Sequence, residues 1–326
     1  MDIINLKEKK VIYELSKDAR QSASKIAKKV KISKDSAIYT VNNLIKNKKI
    51  ERFITLINTE GLGFNRYEIF IKIIDNEEEI IAFLTKHPMF LWVRTALGEW
   101  EILGEFYAKD IEQYGSILRE IRNKFSKYIK DIDSVIVLDE YSFPLKCIGN
   151  INENIQIHKK PIDKVTFDNI DLFILEKLAN NARISIIEIA REVKISSDSV
   201  IYRIRNLLLN NIILGYRISL NENVLGLEKY KLIIKLSEID EKAWNKLLIF
   251  LKAHNSTQYI KRTIGQWDLS ITILAKNQED LRKIIIDIKD NLKFILFEYK
   301  IILLYKEYKN TYFPEGIYHY LANNTN

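Results

Sequence analysis

Apolar residues recur at helical spacing three times near the start of the chain: Leu6, Val11, Ile12 and Leu15, then Ala23, Ile26, Ala27 and Val30, then Ala37, Ile38, Val41, Leu44 and Ile45. Positions three and four apart share one helix face. The pattern therefore predicts helices over 4–16, from Ser22 to Val30 and from Ser33 to Lys48, with the two serines as N-caps. Ile50–Ile57, rich in β-branched and apolar residues, reads as a strand, and Asn58–Gly63 as a turn. The period then changes. Strands are expected at Tyr67–Ile74, Phe90–Ala96, Trp100–Tyr107 and Ser134–Tyr141, with helices at Glu77–His87 and Asp110–Tyr128. Strand-helix-strand-strand-helix-strand is the ferredoxin-like order, an antiparallel sheet with both helices on one face.

The second half of the chain repeats this plan. Asn181-Ala182-Arg183 echoes Asp18-Ala19-Arg20, and Val193-Lys194-Ile195-Ser196 repeats Val30-Lys31-Ile32-Ser33 letter for letter. Ile201-Tyr202 answers Ile38-Tyr39, and Asn206-Leu207 answers Asn43-Leu44, all at one constant spacing. Further on, Gly98 and Trp100 match Gly265 and Trp267, His87 matches His254, and Glu140-Tyr141 matches Glu307-Tyr308, after a short insertion within 237–253. A match this long marks an internal duplication. The expected fold class is α+β: two winged or strand-linked helix-turn-helix domains, each followed by a ferredoxin-like βαββαβ domain. The boundaries expected are 1–60 and 64–143, a linker over 144–166, then 167–222 and 228–313, and a tail over 314–326. One chain with two such halves is expected to act as a covalent pseudo-dimer, the sheets of 66–143 and 228–313 packing sheet to sheet, with further self-association as a homo-oligomer.

Two short helices joined by a tight turn, the second with polar residues at its front, describe a helix-turn-helix. The distribution of charge favours one partner. The chain carries a net charge of +8, and residues 1–57 hold fourteen Lys and Arg against six Asp and Glu, while 168–220 hold seven against six. A basic excess in a helix-turn-helix points to phosphate contact, hence to double-stranded DNA. Candidate DNA contacts are Ser33, Lys34, Ser36, Tyr39, Thr40, Asn42 and Asn43 in the first repeat. In the second they are Ser196, Ser197, Ser199, Tyr202, Arg203, Arg205 and Asn206. Arg203 lies opposite Ile201 and Ile204, and a guanidinium matches guanine O6 and N7 bidentately. Its place in the first repeat is held by Thr40, and that of Arg205 by Asn42. The second unit is therefore expected to select sequence. The first is expected to grip phosphates through Lys25, Lys28, Lys29, Lys31, Lys46, Lys48 and Lys49.

Cys147 is the single cysteine, which excludes a disulfide or a thiolate metal cluster within one chain. Apolar runs such as Phe294–Tyr305 are broken by charges and too short to span a bilayer, and no signal-peptide core follows the first residues. A cytoplasmic protein without metal or cofactor is expected.

The order of parts resembles the Lrp/AsnC family of prokaryotic regulators, twice along the chain. Phe167-Asp168-x-x-Asp171-x-x-Ile174-Leu175-x-x-Leu178 is similar to that family's opening helix, Asn181-Ala182-Arg183-Ile184-Ser185 to its second, and Ser196-x-x-Ser199-Val200-x-x-Arg203-Ile204 to its recognition helix. Leu225-Gly226-Leu227 resembles the turn into its effector domain. The resemblance implies transcription regulation, paired helix-turn-helix units, assembly through the sheet domains and often a bound amino acid. It places a small-molecule effector near Leu97, Gly98, Glu99 and Glu101, and near Ile264, Gly265, Gln266 and Asp268. The family's Thr-Gly-x-x-Asp loop has lost its threonine in both copies, which argues against tight amino-acid binding. Siroheme decarboxylases share the architecture and supply an enzymatic alternative with a His-x-Tyr-x-Arg run. Anchored on Arg94 and Arg262, the histidine positions hold Phe90 and Gln258 and the tyrosine positions Trp92 and Ile260, so a non-enzyme is expected. His87 and His254 end helices, where a cap is expected, and Trp100 and Trp267 are expected in a core or interface.

Overall fold

The computed structural model describes residues 4–143, 148, 168–237, 240–293 and 295–324. The expected linker, Ile148 apart, and Phe167 thus lie outside the described residues. The first repeat contains α1 (Leu6–Lys17), α2 (Ala23–Val30), α3 (Lys34–Lys46) and β1 (Ile50–Ile57), followed by β2 (Asn65–Ile73), α4 (Glu77–Lys86), β3 (Phe90–Leu97), β4 (Ile102–Ala108), α5 (Ile111–Phe125) and β5 (Ile129–Ser142). The second contains α6 (Asn169–Asn180), α7 (Ile186–Val193), α8 (Ser197–Leu209) and β6 (Ile213–Leu220). It continues with β7 (Glu228–Leu236), α9 (Glu241–Ala253), β8 (Thr257–Gly265), β9 (Leu269–Ala275), α10 (Gln278–Leu292) and β10 (Leu296–Asn310), and α11 (Glu315–Asn324) follows. Among the described residues no helix is long and apolar enough to cross a membrane.

The chain divides into two compact units, each built from both repeats. The first gathers Met1–Gly63, Lys159–Leu225 and Thr311–Asn326. Each three-helix set is started by local chemistry. Ser22, Ser33, Ser185 and Ser196 accept N–H bonds from the opening turns of α2, α3, α7 and α8. Lys31 and Lys194 take the left-handed conformation, with φ of 60° and 57°, and so make the tight turn between second and third helices. The two sets are joined by β1 and β6, which pair antiparallel, with Phe53 opposite Ile218 and Thr55 opposite Tyr216. The Asx-Ala-Arg echoes sit at this junction. Arg183 Nε donates to Ala19 O at 2.7 Å, while Arg20 donates to Ala182 O. Ala19 N–H bonds Tyr216 O at 3.2 Å, and Ala182 N–H bonds Phe53 O at 3.0 Å. Each arginine thus satisfies carbonyls of the other repeat. The tail, for which the apolar pattern predicts no element, forms α11, which buries Ile317 and Leu321 and lies against α6.

The second unit contains Phe64–His158 and Gly226–Asn310. Its two βαββαβ modules pack their sheets together within one chain, as the sequence suggested, but not as separate sheets. They join edge to edge in one closed antiparallel barrel, ordered β10-β3-β4-β2-β5-β8-β9-β7. Strands β5 and β10 cause the difference. They run 14 and 15 residues, against 7 to 9 for the other barrel strands. The first half of β5 pairs with β2 and its second half with β8; β10 likewise pairs with β7 and then β3. A register shift, between Val137 and Asp139 and between Leu304 and Glu307, marks each crossing. Gly265 lies at one of these seams opposite Val135, with φ of +143°, and a Cβ there would come 2.9 Å from Ser134 O.

The helices cover the outside; Trp244, Leu247, Leu251, Ile284 and Ile288 of α9 and α10 pack on their sheet around Ile260 and Leu269. Inside the barrel Trp100 and Trp267 meet edge to face at 6.1 Å, amid Phe70, Leu103, Val135, Ile233 and Ile302. They are core aromatics. Further along the same inner faces the filling is charged. Glu105 receives Arg66 and Lys261, Arg66 also reaches Glu140 at 2.7 Å, and Lys231 pairs with Glu68. Burial acts to raise the Glu105 carboxyl, but the Arg66 and Lys261 charges and their hydrogen bonds bring it down to about 2. Burial, then Lys261 and Arg66, push the Lys231 ammonium well below its ordinary value.

Two outcomes follow from the seam and the charged filling. Gly265→Ala is expected to destabilise the barrel by ~1–3 kcal/mol, read by denaturant unfolding, because the methyl meets backbone that cannot yield. The Glu105 contribution is fully present above the ordinary carboxyl pKa of 4.5 and is lost as pH falls toward about 2. Thermal midpoints should fall through that window, and Glu105→Gln should remove part of the dependence while lowering the midpoint at neutral pH.

Candidate nucleic-acid interface

Helices α3 and α8 present closely matching surfaces. Ser33 and Ser196 cap them, and Lys34, Tyr39 and Asn42 on α3 are exposed, as are Ser199, Tyr202 and Arg205 on α8. Tyr39 is 69% and Tyr202 66% exposed, large aromatic groups at equivalent positions with water on most sides. Ser36, Asn43, Ser197 and Asn206 are half-buried beside this strip. Asn43 accepts from Asn47 Nδ2 at 3.1 Å, and the Asn206 carbonyl accepts from Asn210 Nδ2 at 2.9 Å.

Two expected contacts are placed elsewhere. Thr40 is 3% exposed, and its hydroxyl donates to Ser36 O at 2.7 Å, a bond back into the preceding turn. It belongs to the buried stripe with Ala37, Val41 and Leu44, while Ile38 and Ile45, assigned to that stripe from spacing, are exposed. Arg203 occupies the same helix position as Thr40 and turns the same way. Its Nη1 donates to Asp168 and Asp171 at 2.9 Å each, clamping α8 to the start of α6. Asp168 is the N-cap of α6 and already receives the N–H groups of Ile170 and Asp171. Burial acts to raise its carboxyl, but the Asp171 N–H, Arg203 and the Ile170 N–H hold it below its ordinary value.

The first repeat makes the same clamp with another cation. Glu8, which forms a capping box with Asn5 and is the counterpart of Asp171, receives Lys49 Nζ at 2.8 Å. The acid keeps its place, and the cation moves from the recognition helix to the turn before β1. The spacing Asp168-x-x-Asp171 carried the cap signal in the sequence, but nothing local revealed which cation would close it. Among the seven lysines expected to hold phosphates, Lys49 is therefore engaged. Lys29 is too, reaching Glu14 at 2.7 Å and Gln21 at 2.9 Å. Lys25, Lys28, Lys31, Lys46 and Lys48 are exposed.

The residues suggested for an effector lie on the barrel hairpins and have structural partners. Glu101 Oε2 accepts Ile73 N–H at 2.9 Å, and Asp268 Oδ2 accepts Leu236 N–H at 2.8 Å, an equivalent bond in each module. Glu99 pairs with Lys300 at 2.8 Å, and the Gln266 amide can donate to Asp133 at 2.7 Å. Leu97 and Ile264 are exposed, and Gly98 and Gly265 sit against β10 and β5 at the seams. His87 and His254 follow α4 and α9, as caps should. Each Nδ1 accepts an N–H two residues on at 3.2 Å, from Met89 and Ser256, and each Nε2 faces an acid, Glu120 at 3.6 Å and Asp287 at 3.3 Å. Equating Arg94 with Arg262 does not survive the geometry. Arg94 shares the inner face of β3 with Trp92 and Ala96. Arg262 instead turns to α9, over the Trp244 ring and 3.0 Å from Glu241. Phe90 stacks on Phe106, and Ile260 is fully buried.

Two capped helix-turn-helix sets on a shared β-ribbon, with a ferredoxin-like barrel, define the class of helix-turn-helix regulators. The AsnC-type helix-turn-helix domain family matches residues 167–208. The chain is 36% identical over 119 residues to the HTH-type transcriptional regulator Ptr1 of Methanocaldococcus jannaschii, covering 36% of this chain and 77% of that protein. It is 30% identical over 121 residues to an uncharacterized HTH-type transcriptional regulator of Pyrococcus horikoshii, covering 37% and 81%. The chain belongs to the Lrp/AsnC family of transcriptional regulators. Its fold is also similar to the crystal structure of the siroheme decarboxylase NirDL, with a TM-score of 0.66, 13% identity and 97% of each chain covered.

Arg203→Ala is expected to loosen α6 and α8 by ~1 kcal/mol, seen as faster amide exchange in α6. Because the Asp168 carboxyl is held low, this stabilisation is present above its ordinary range and lost on acidification, so wild type and variant should converge at low pH.

Proposed function

We propose that the chain is a DNA-binding transcriptional regulator that arose by duplication and acts as a covalent pseudo-dimer, α3 and α8 entering successive major grooves of one duplex. The observation that carries this reading is the pair of equivalent exposed strips, Tyr39 with Asn42 and Tyr202 with Arg205, held in one unit by the β1–β6 ribbon. Helix-turn-helix pairs read half-sites about one helical turn, ~34 Å, apart. Arg205, exposed and without the clamp that holds Arg203, is the base-reading guanidinium of the second helix; Asn42 takes its place in the first. Lys25, Lys28, Lys31, Lys46 and Lys48 contact phosphates, which orient the protein without reading sequence. The operator is accordingly two unequal half-sites. The barrel is the assembly module, through which chains associate further.

No enzymatic role is assigned. The likeness to a decarboxylase concerns the fold, and in the first module, anchored on Arg94, the positions where a His and a Tyr would act hold Phe90 and Trp92. Nor is the chain a tight amino-acid sensor, since Glu101 and Asp268 already bind the edges of β2 and β7. Common amino acids should shift the thermal midpoint little.

Binding-site selection followed by salt-dependent affinity measurements tests the reading. Arg205→Ala should cost ~1–3 kcal/mol on the selected site and relax preference at one position. Lys28→Ala with Lys31→Ala should weaken all sequences alike and flatten the salt dependence. A symmetric palindrome, with equal losses from Arg205→Ala and Asn42→Ala, would overturn the unequal half-sites. Absence of salt-dependent binding to any duplex would overturn the regulator.

A further inference from the structure

Equivalent residues that touch each other lie on the approximate two-fold axis relating the modules. Trp100 and Trp267 do so, and so do Glu68 and Lys231, neighbours of the matching Tyr67 and Tyr230. Glu68 is 0% and Lys231 2% exposed, and Lys231 Nζ lies over the Phe70 and Trp92 rings at 5.9 and 5.2 Å. Position matters here more than pairing. Were two copies of the first module to close a barrel, Glu68 would meet Glu68; two copies of the second would bring Lys231 against Lys231. Buried like charges disfavour each other strongly. A second asymmetry acts in the same direction. Lys261 finds Glu105 on the first module, but the equivalent of Glu105 on the second is Thr272, so two second modules would leave Lys261 only the more distant acid of the Glu140 position, which is Glu307 there.

We propose that Glu68 and Lys231 are a pairing code: the inner face of each module accepts the other module and rejects a second copy of itself. The occupant of the face of 64–143 is thus the 226–310 segment, and a chain in a mixed population closes its barrel with complementary halves only. The inference rests on the pseudo-dimer reading and adds a rule to it.

The test uses the full chain. Glu68→Lys and Lys231→Glu, alone, place like charges on the axis and should each lower the thermal midpoint by ~10 °C or more, or prevent soluble accumulation. The double exchange, Glu68→Lys with Lys231→Glu, should recover at least half of that loss. Refolding the two single variants together should yield a one-to-one complex of twice the chain mass, because only cross-chain pairings are then complementary. A double exchange as unstable as either single, or singles as stable as the parent, would overturn the code; so would a mixture that behaves as its separate components. The underlying reading has its own check. Val137→Cys with Thr263→Cys, register partners across the seam, in a Cys147→Ser background, should oxidise within one chain. Disulfides found only between chains would end the pseudo-dimer, whatever the charge exchange gave.

Discussion

An antiparallel sheet must do something with its edges, whose unpaired N–H and C=O groups otherwise recruit other strands. A four-stranded ferredoxin-like sheet has two such edges, and two modules have four. Here β5 and β10 resolve all four at once, each completing its own sheet and then continuing as the edge partner of the other. Closure creates an interior, and the interior sets the remaining demands. Glycine is needed at the Gly265 seam, where backbone approaches backbone. The tryptophans fill the axis. The charged inner faces have to find partners across the barrel, since an isolated buried charge is far costlier than a paired one.

The helical half of the molecule was largely legible because its signals are local. Ser22, Ser33 and Ser196 each precede an apolar stripe, and the structure starts a helix after each. The strands were placed but mismeasured. Alternation places a strand start at Trp100, yet β4 begins at Ile102, because Trp100 turns into the barrel from the hairpin. β5 begins at Ile129, five residues before the expected Ser134. The added residues pair with β2, Ile129 opposite Ile73 and Asp131 opposite Lys72, while Val135–Ser142 serve β8, more than a hundred residues away; period-two alternation carries no information about which partners extend a strand.

The same limit explains the site. Thr40 and Arg203 sat at plausible recognition positions by helical spacing, but which side of α3 and α8 faces α1 and α6 is a tertiary fact. A polar residue on that side is read as exposed unless its partner is known. The arginine echo Arg20 and Arg183 was visible as a repeat and invisible as a junction, since its acceptors are main-chain carbonyls, which leave no trace in side-chain identity.

The relocated clamp has a consequence for how such a protein can change. In the second repeat the cation that fastens the first helix is on the recognition helix itself, so altering position 203 disturbs the scaffold. In the first repeat Lys49 carries that duty from outside the helix, and α3 is relieved of it. Evolvability is therefore unequal between the two halves. The helix without a structural obligation is free to drift in specificity, while its twin is held near an ancestral choice by the stability it must also provide.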